Sequence, residues 1–272
     1  MCSNYNTDDT VIYHADKNLY NIENILNKVL ANISDYLEQS ELIINLNKGK
    51  TESMLFGTAK RLSKQTNGSL SIKYRDIPIK NTIAYDYLGN TLDPTLNLGD
   101  NFKKKFKKVT GRIRLFTKIR PFLTTSAAEQ IYNTMIVPIM TYCGSIQLST
   151  SRTQQTSLAK IDRRASTLIY GKTSSKLVKS TYGKIKKQAC IIVRKCLNED
   201  VCSPMKCYFQ INDNNRVTRN NKLSIRLPKI RLEVGRKTFY YSGAKLYNTL
   251  PLEIRKIISL DAFKKQLSTY FQ

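Results

Sequence analysis

Short strand-like apolar runs, with one helical stripe among them, occupy roughly the first third of this chain, and apolar residues recur every three or four positions over the rest. That change of period marks a change from strand-bearing to helical texture. Thr10-Val11-Ile12-Tyr13 is strand-like, and a helix is expected from about Asp16, a residue type suited to an N-cap. Leu19, Ile22, Leu26, Val29, Ile33 and Leu37 then form one stripe facing a core. Residues 42–47 and 53–56 read as strands on either side of the Lys48-Gly49-Lys50 turn, with a polar loop over 58–69. Further strands are expected near 70–74 and 77–83, flanking Arg75-Asp76, and another near 85–90. Beyond Pro94 the spacing predicts helices over 101–116, from Ser126-Ala127-Ala128-Glu129 (a capping-box pattern) through Tyr142 with an interruption at Pro138, over 154–170 and over 178–197. A loop-rich basic stretch covers 203–235. Two short helices follow, one around 244–247 and one from about Ser259 with Leu260, Phe263, Leu267 and Phe271 inward.

The expected fold class is therefore α+β, an antiparallel unit with one packed helix followed by a mostly helical region. The boundaries read as 1–93, 94–175 and 176–272, with no internal repeat and no low-complexity segment.

Charge changes the picture most. The 272 residues carry 45 Lys+Arg against 20 Asp+Glu, a formal +25, which points to a polyanion as partner: nucleic acid first, an acidic membrane surface second. No apolar run approaches the roughly 20 residues that span a bilayer, and the N-terminus has no secretory pattern. The expectation is a soluble intracellular protein of nucleus or cytoplasm with no membrane partner. The six cysteines form no Cys-x-x-Cys pair and the single histidine, His14, is remote from them, so they read as free thiols in a reducing compartment.

Two groups of residues carry candidate chemistry. Asp8-Asp9 stands directly before an apolar strand, where paired carboxylates suit a hard divalent cation; the same pair also suits a solvated turn. Lys103, Lys104, Lys105, Lys107, Lys108, Arg112 and Arg114 surround a helix whose inward stripe is Phe102, Phe106, Val109, Ile113 and Phe116. Such a helix buries one side and lays the other along a phosphate backbone without reading sequence, or simply presents a solvated face.

Asp8-Asp9-Thr10-Val11-Ile12-Tyr13, an amphipathic helix, Leu46-Asn47-x-x-Lys50-Thr51-Glu52, Met54-Leu55-Phe56-Gly57 and Tyr87-Leu88-Gly89 occur in that order. The ordered set resembles the palm of reverse transcriptases from non-LTR (LINE-type, jockey-like) retrotransposons. Tyr132 to Tyr142 and Asp162-Arg163-Arg164-Ala165 resemble the thumb. Ser242-Gly243-Ala244-Lys245-Leu246-Tyr247-Asn248-x-Leu250-Pro251 with Phe263-Lys264 resembles the C-terminal tail.

The resemblance implies an RNA-directed DNA polymerase that transfers nucleotides from a dNTP onto a primer 3′-hydroxyl with Mg2+. Its partners would be an RNA template and a DNA primer. By the same resemblance Asp8 and Asp9 are the catalytic Mg2+ ligands. Lys50 sits near the incoming nucleotide's phosphates, and Tyr87, Leu88 and Gly89 position the primer end.

The sequence departs from the family pattern in places. Asn6-Thr7 stand where the family has an aromatic residue and alanine, and Tyr247 stands where it tends to have tryptophan. The fingers and the first aspartate-bearing palm strand have no counterpart here, and two-metal chemistry needs that strand's carboxylate. The expectation is a segment that binds nucleic acid but does not polymerise unaided. The alternative is a non-catalytic, basic nucleic-acid-binding remnant of a mobile element.

Overall fold

The computed structural model describes residues 2–6, 9–47, 49–64, 70–149, 151–198, 203–212 and 223–271, with backbone alone for 2–6, 9, 203, 204 and 206. Mixed α and β structure falls into two compact units, Met1–Asp100 and Asn101–Gln272.

In the first unit β1 (Cys2–Asn6) and β2 (Asp9–Tyr13) pair antiparallel, Cys2 opposite Tyr13 and Asn6 opposite Asp9. Helix α1 (Leu19–Gln39) follows. Its N-cap is Asn18, which accepts from the Tyr20 N–H, while Asp16 stands two residues earlier and accepts from the Asn18 N–H at 2.7 Å. The cap expected at Asp16 is thus displaced by one Asx turn. After α2 (Ala59–Lys64) come two small hairpins, β3 (Lys73–Tyr74) with β4 (Ile77–Pro78) and β5 (Tyr85–Tyr87) with β6 (Asn90–Leu92).

Leu30, Leu70, Ile72, Tyr74 and Ile79 are the buried centre, with Ile12, Leu19, Ile22, Leu26, Ile44, Leu46 and Leu55 packed on it. The period-2 pattern of 42–47 is real in packing: Ile44 and Leu46 face in, and Ile43 is 91% exposed. No ladder forms there, so that expected strand is corrected to extended chain. The strand expected at 53–56 shrinks to one bridge, Ser53 to Asn81. Side chains supply hydrogen bonds that neighbouring strands would otherwise make. Asn27 donates to the Ser71 carbonyl and accepts from the Lys73 N–H, Glu23 accepts from the Ser71 N–H, and the Asn81 amide pairs both ways with Leu70.

Helix α3 (Gly99–Ile119) opens at the boundary, and its body belongs to the second unit. Next come α4 (Thr125–Ile131), a π turn over Tyr132–Ile136, and α5 (Val137–Thr141). The cap of α4 is Thr124, which accepts from the Ala127 N–H; the Ser126–Glu129 capping box does not form. Glu129 instead pairs with the Tyr170 hydroxyl and Lys176. Pro138 has no N–H to offer its preceding turn, and the π turn, closed by the Val137 N–H on the Tyr132 carbonyl, carries the chain past it.

Helix α6 (Arg152–Tyr170) starts on a full capping box between Ser151 and Gln154. Its last carbonyls are closed by Arg120, which donates to Leu168 at 2.7 Å and Ile169 at 2.8 Å. Helix α7 (Thr181–Leu197), a short α8 (Glu233–Arg236), α9 (Phe239–Asn248), α10 (Leu252–Arg255) and α11 (Leu260–Tyr270) complete the unit.

Two cores result. One joins α3, α4, α5 and α6 through Phe102, Val109, Ile113, Phe116, Tyr132 and Ile169. The other gathers α7, α9, α10 and α11 around Cys190, Tyr247, Phe263 and Leu267. Tyr247 is 1% exposed and its hydroxyl accepts from Arg194, which also donates to the Arg255 carbonyl at 3.1 Å. Cys143, Cys190, Cys196 and Cys207 are free thiols, and burial pushes Cys190 up to about 12. A side chain on Gly183 would place its Cβ 2.3 Å from the Phe271 carbonyl. Gly183→Ala is therefore expected to lose about 2 kcal/mol, an overpacking cost, read as a lower urea midpoint for the second unit.

Candidate nucleic-acid interface

Helix α3 contains one acidic residue, Asp100 in its first turn, against a dense series of cations. Phe102, Val109, Ile113 and Phe116 are buried and Phe106 packs beside them, as the inward stripe requires. Lys103, Lys104, Lys107, Lys108, Arg112 and Arg114 are exposed, and so is Lys118, which the sequence reading passed over. At 3.6 residues per turn these seven cover about half the circumference. Continuous positive charge along one helix face raises the local concentration of any polyanion and makes binding salt-sensitive.

Lys105 is the correction. It is 7% exposed and donates to the Tyr142 carbonyl at 2.8 Å, with its Nζ 5.6 Å from the centre of the Tyr142 ring. Burial lowers its pKa, opposed by its coulombic interaction with Cys143. Lys105 stands three residues after Phe102 and four before Val109, so the helix turns it onto the inward face. We expect Lys105→Met to change nucleic-acid affinity less than about twofold, because phosphate contacts come from exposed cations; titration of a labelled oligonucleotide checks this.

The candidate metal, phosphate and primer-end positions (Asp8, Asp9, Lys50 and 87–89) all fall in the first unit. Asp8 lies outside the described residues. Asp9 begins β2 and its side chain also lies outside them. Lys50 is exposed in a turn, its N–H donating to the Asn47 carbonyl at 3.0 Å. The Lys50 carbonyl accepts from the Tyr85 hydroxyl at 3.2 Å. Lys50 and the Tyr87-Leu88-Gly89 hairpin are thereby tied together across 35 residues of chain. Among the described residues no three His, Cys, Asp or Glu side chains gather to hold a metal, so the Mg2+ expectation rests on Asp8 and Asp9 alone.

Leu88 and Gly89 are the two central residues of the β5–β6 turn, with φ of 46° and 72°. Both positive angles make this a mirror-image hairpin turn, which favours Asn-Gly and strains leucine by about 1 kcal/mol. Leu88 nevertheless presents its side chain outward at 40% exposure. Leu88→Asn is expected to stabilise the first unit by about 1 kcal/mol, visible as a raised melting temperature. A variant that melts no higher would mean that the turn is not strained.

Just after the hairpin, burial acts against charge on Asp93. Bonds from the Thr95 hydroxyl and from the Asn97, Leu98 and Thr95 N–H groups more than offset it, holding the carboxyl below its usual range.

The chain matches no known protein family, no curated protein and no solved structure. Among the described residues, no helix is long and apolar enough to cross a membrane.

Proposed function

We propose that this chain holds nucleic acid along α3. We propose further that it corresponds to the end of the palm, the thumb and the C-terminal tail of a non-LTR retrotransposon reverse transcriptase. The observation that supports binding is the exposed cationic face of α3 opposite a buried stripe of Phe102, Val109, Ile113 and Phe116. The polymerase assignment rests on the ordered motifs from Asp8 to Lys264 and on nothing in the comparisons.

In this reading the parent reaction is Mg2+-dependent nucleotidyl transfer from a dNTP to a primer 3′-hydroxyl. Mg2+ bound by Asp8 and Asp9 would supply charge neutralisation at the transferred phosphate. The chain's other residues act as holders. Lys50 faces phosphate, the 87–89 turn meets the primer end, and α3 lies along the backbone of an RNA–DNA duplex.

The test is a primer–template with an RNA template and DNA primer, offered to the full chain with Mg2+ and dNTPs at several salt concentrations. Tight, salt-sensitive binding with no extension is the expected result. Extension abolished by Asp8→Asn would make the chain a competent polymerase by itself. Absence of binding at low salt would sink the proposal. Binding indifferent to salt would remove α3 as its cause.

A further inference from the structure

The second unit contains a cleft of about 440 Å³ between α7, the helical turn over Gly144–Ser149 and the α8–α9 corner. Its volume is on the scale of a small-ligand site. Three cations line it, Lys186, Arg236 and Lys245, against a single carboxylate, Glu233. Arg236 is 3.9 Å from Glu233, a long contact between exposed groups, while Lys186 and Lys245 have no carboxylate partner among the described residues.

Two tyrosines share the walls. Tyr182 is anchored by its hydroxyl on the Leu148 carbonyl at 3.0 Å and lies under the Lys186 Nζ at 4.7 Å from the ring centre. Tyr241 is half-buried on α9. The serine and threonine hydroxyls of the lining turn away from the space: Ser149, Ser242 and Thr249 donate to the Lys237, Thr238 and Leu246 carbonyls. With those hydroxyls engaged, the lining offers a ligand three cations and two aromatic rings, beside the one carboxylate of Glu233 and the apolar Leu148 and Leu246.

That pairing has a specific chemistry. Cations take a phosphate, and a ring takes the face of an unstacked base. A duplex offers its phosphates but keeps its bases stacked inside, so it satisfies only half of the lining. An acidic peptide offers charge but nothing for a ring to stack on. We infer that this cleft binds one splayed nucleotide of a single-stranded nucleic acid, its base on Tyr241 and its phosphate between Lys186 and Lys245. The inference rests on the proposed nucleic-acid function and adds a single-strand site separate from the α3 face. It also gives a role to Ser242, Lys245 and Leu246 of the Ser242–Asn248 tail motif, in which Gly243, Ala244 and Tyr247 are buried and Asn248 pairs with the Ile225 backbone.

The experiment is fluorescence anisotropy on the full chain. The probes are an oligothymidylate and an oligouridylate of about twelve nucleotides and a duplex of equal length, each with polyglutamate as competitor. Tyr241→Ala should weaken both single strands about tenfold, the scale of one base–aromatic stack, and leave the duplex within twofold. Tyr241→Phe should restore the loss, which separates stacking from a folding defect. Lys186→Gln with Lys245→Gln should lower the single-strand salt slope by about 0.7 to 1.4. Whichever oligonucleotide binds tighter identifies the strand as DNA or RNA.

Equal losses on strand and duplex would overturn the inference. So would no loss in Tyr241→Ala, or polyglutamate competing as well as oligothymidylate. If the wild-type chain binds none of the probes, the nucleic-acid reading itself fails; if only the cleft variants are silent, this site alone fails.

Discussion

Replacing Asp162 with alanine should cost the second unit about 3–5 kcal/mol, the sum of two or three buried donors left without an acceptor, and unfold much of it at physiological temperature. Asp162 lies on α6 in the charged run Asp162-Arg163-Arg164, yet it is 8% exposed. Its carboxyl accepts from the Tyr132 hydroxyl at 2.8 Å, the Thr181 N–H at 2.8 Å and the Thr181 hydroxyl at 2.5 Å. One side chain thus joins α6 to the π turn before α5 and to the first turn of α7.

Burial, with Asp162 adding to it, pushes the Tyr132 phenol far above its ordinary value, so it remains a proton donor throughout the working range. Lys184 is drawn down by burial, opposed by the same carboxyl. Alanine leaves the Tyr132 hydroxyl and the Thr181 N–H buried without an acceptor, and each orphaned group costs about 1–3 kcal/mol.

The measurement is urea unfolding followed by circular dichroism; tyrosine fluorescence also reports, since the chain has no tryptophan. Asp162→Asn keeps one acceptor oxygen and should lose about half as much. Tyr132→Phe combined with Asp162→Ala should cost less than the two changes separately, because they remove one shared bond. A stability within 1 kcal/mol of wild type for Asp162→Ala would show that the network does not hold the unit together.

Asp162 also marks where a sequence stops being readable. Periodicity of 3.6 found α3, α6, α7 and α11 because each carries an apolar stripe, and α11 opens directly after Ser259, near where it was expected. The short α10 was missed because four residues carry no period. The strand expected over 42–47 forms no ladder although Ile44 and Leu46 face inward, because pairing is a property of neighbours, and here Asn27, Glu23 and Asn81 side chains stand in for strands.

Charge was the least transparent signal. Lys105, Arg120, Arg194 and Arg255 spend their donors on carbonyls inside the second unit. Lys105 could have been recognised from its spacing to Phe102 and Val109. Arg120 and Arg194 could not, since each reaches a helix end that only the packing brings near, and Arg255 folds back on the Leu250 carbonyl of the preceding turn. Of the candidate site, the α3 face and the hairpin at 87–89 were legible. The bond between Lys50 and Tyr85 was not, because the two lie 35 positions apart in the chain.

The remaining large effect concerns binding. A chain carrying Gln at Lys103, Lys104, Lys107 and Lys108 should lose about 10²–10³ in affinity for primer–template near 0.1 M salt. Each phosphate contact contributes about 0.7–0.9 to the slope of log K against log salt, so four lost contacts lower that slope by about 3. All four side chains are exposed and clear of the inward stripe, so the packed core beneath α3 is untouched. Lys103 with Lys107 and Lys104 with Lys108 are also like-charge pairs one turn apart, each repelling by a few tenths of a kcal/mol. The signature is a cooperative unfolding transition that is retained together with a collapsed salt slope, measured on one preparation by circular dichroism and anisotropy. A general loss of positive charge would act alike wherever it was made. Gln at Lys160, Lys172, Lys229 and Lys256 makes the same change in net charge at exposed sites away from α3 and should leave the slope within about 1 of wild type. If both quadruple variants lose the same slope, attraction belongs to the +25 charge as a whole and α3 is not the interface.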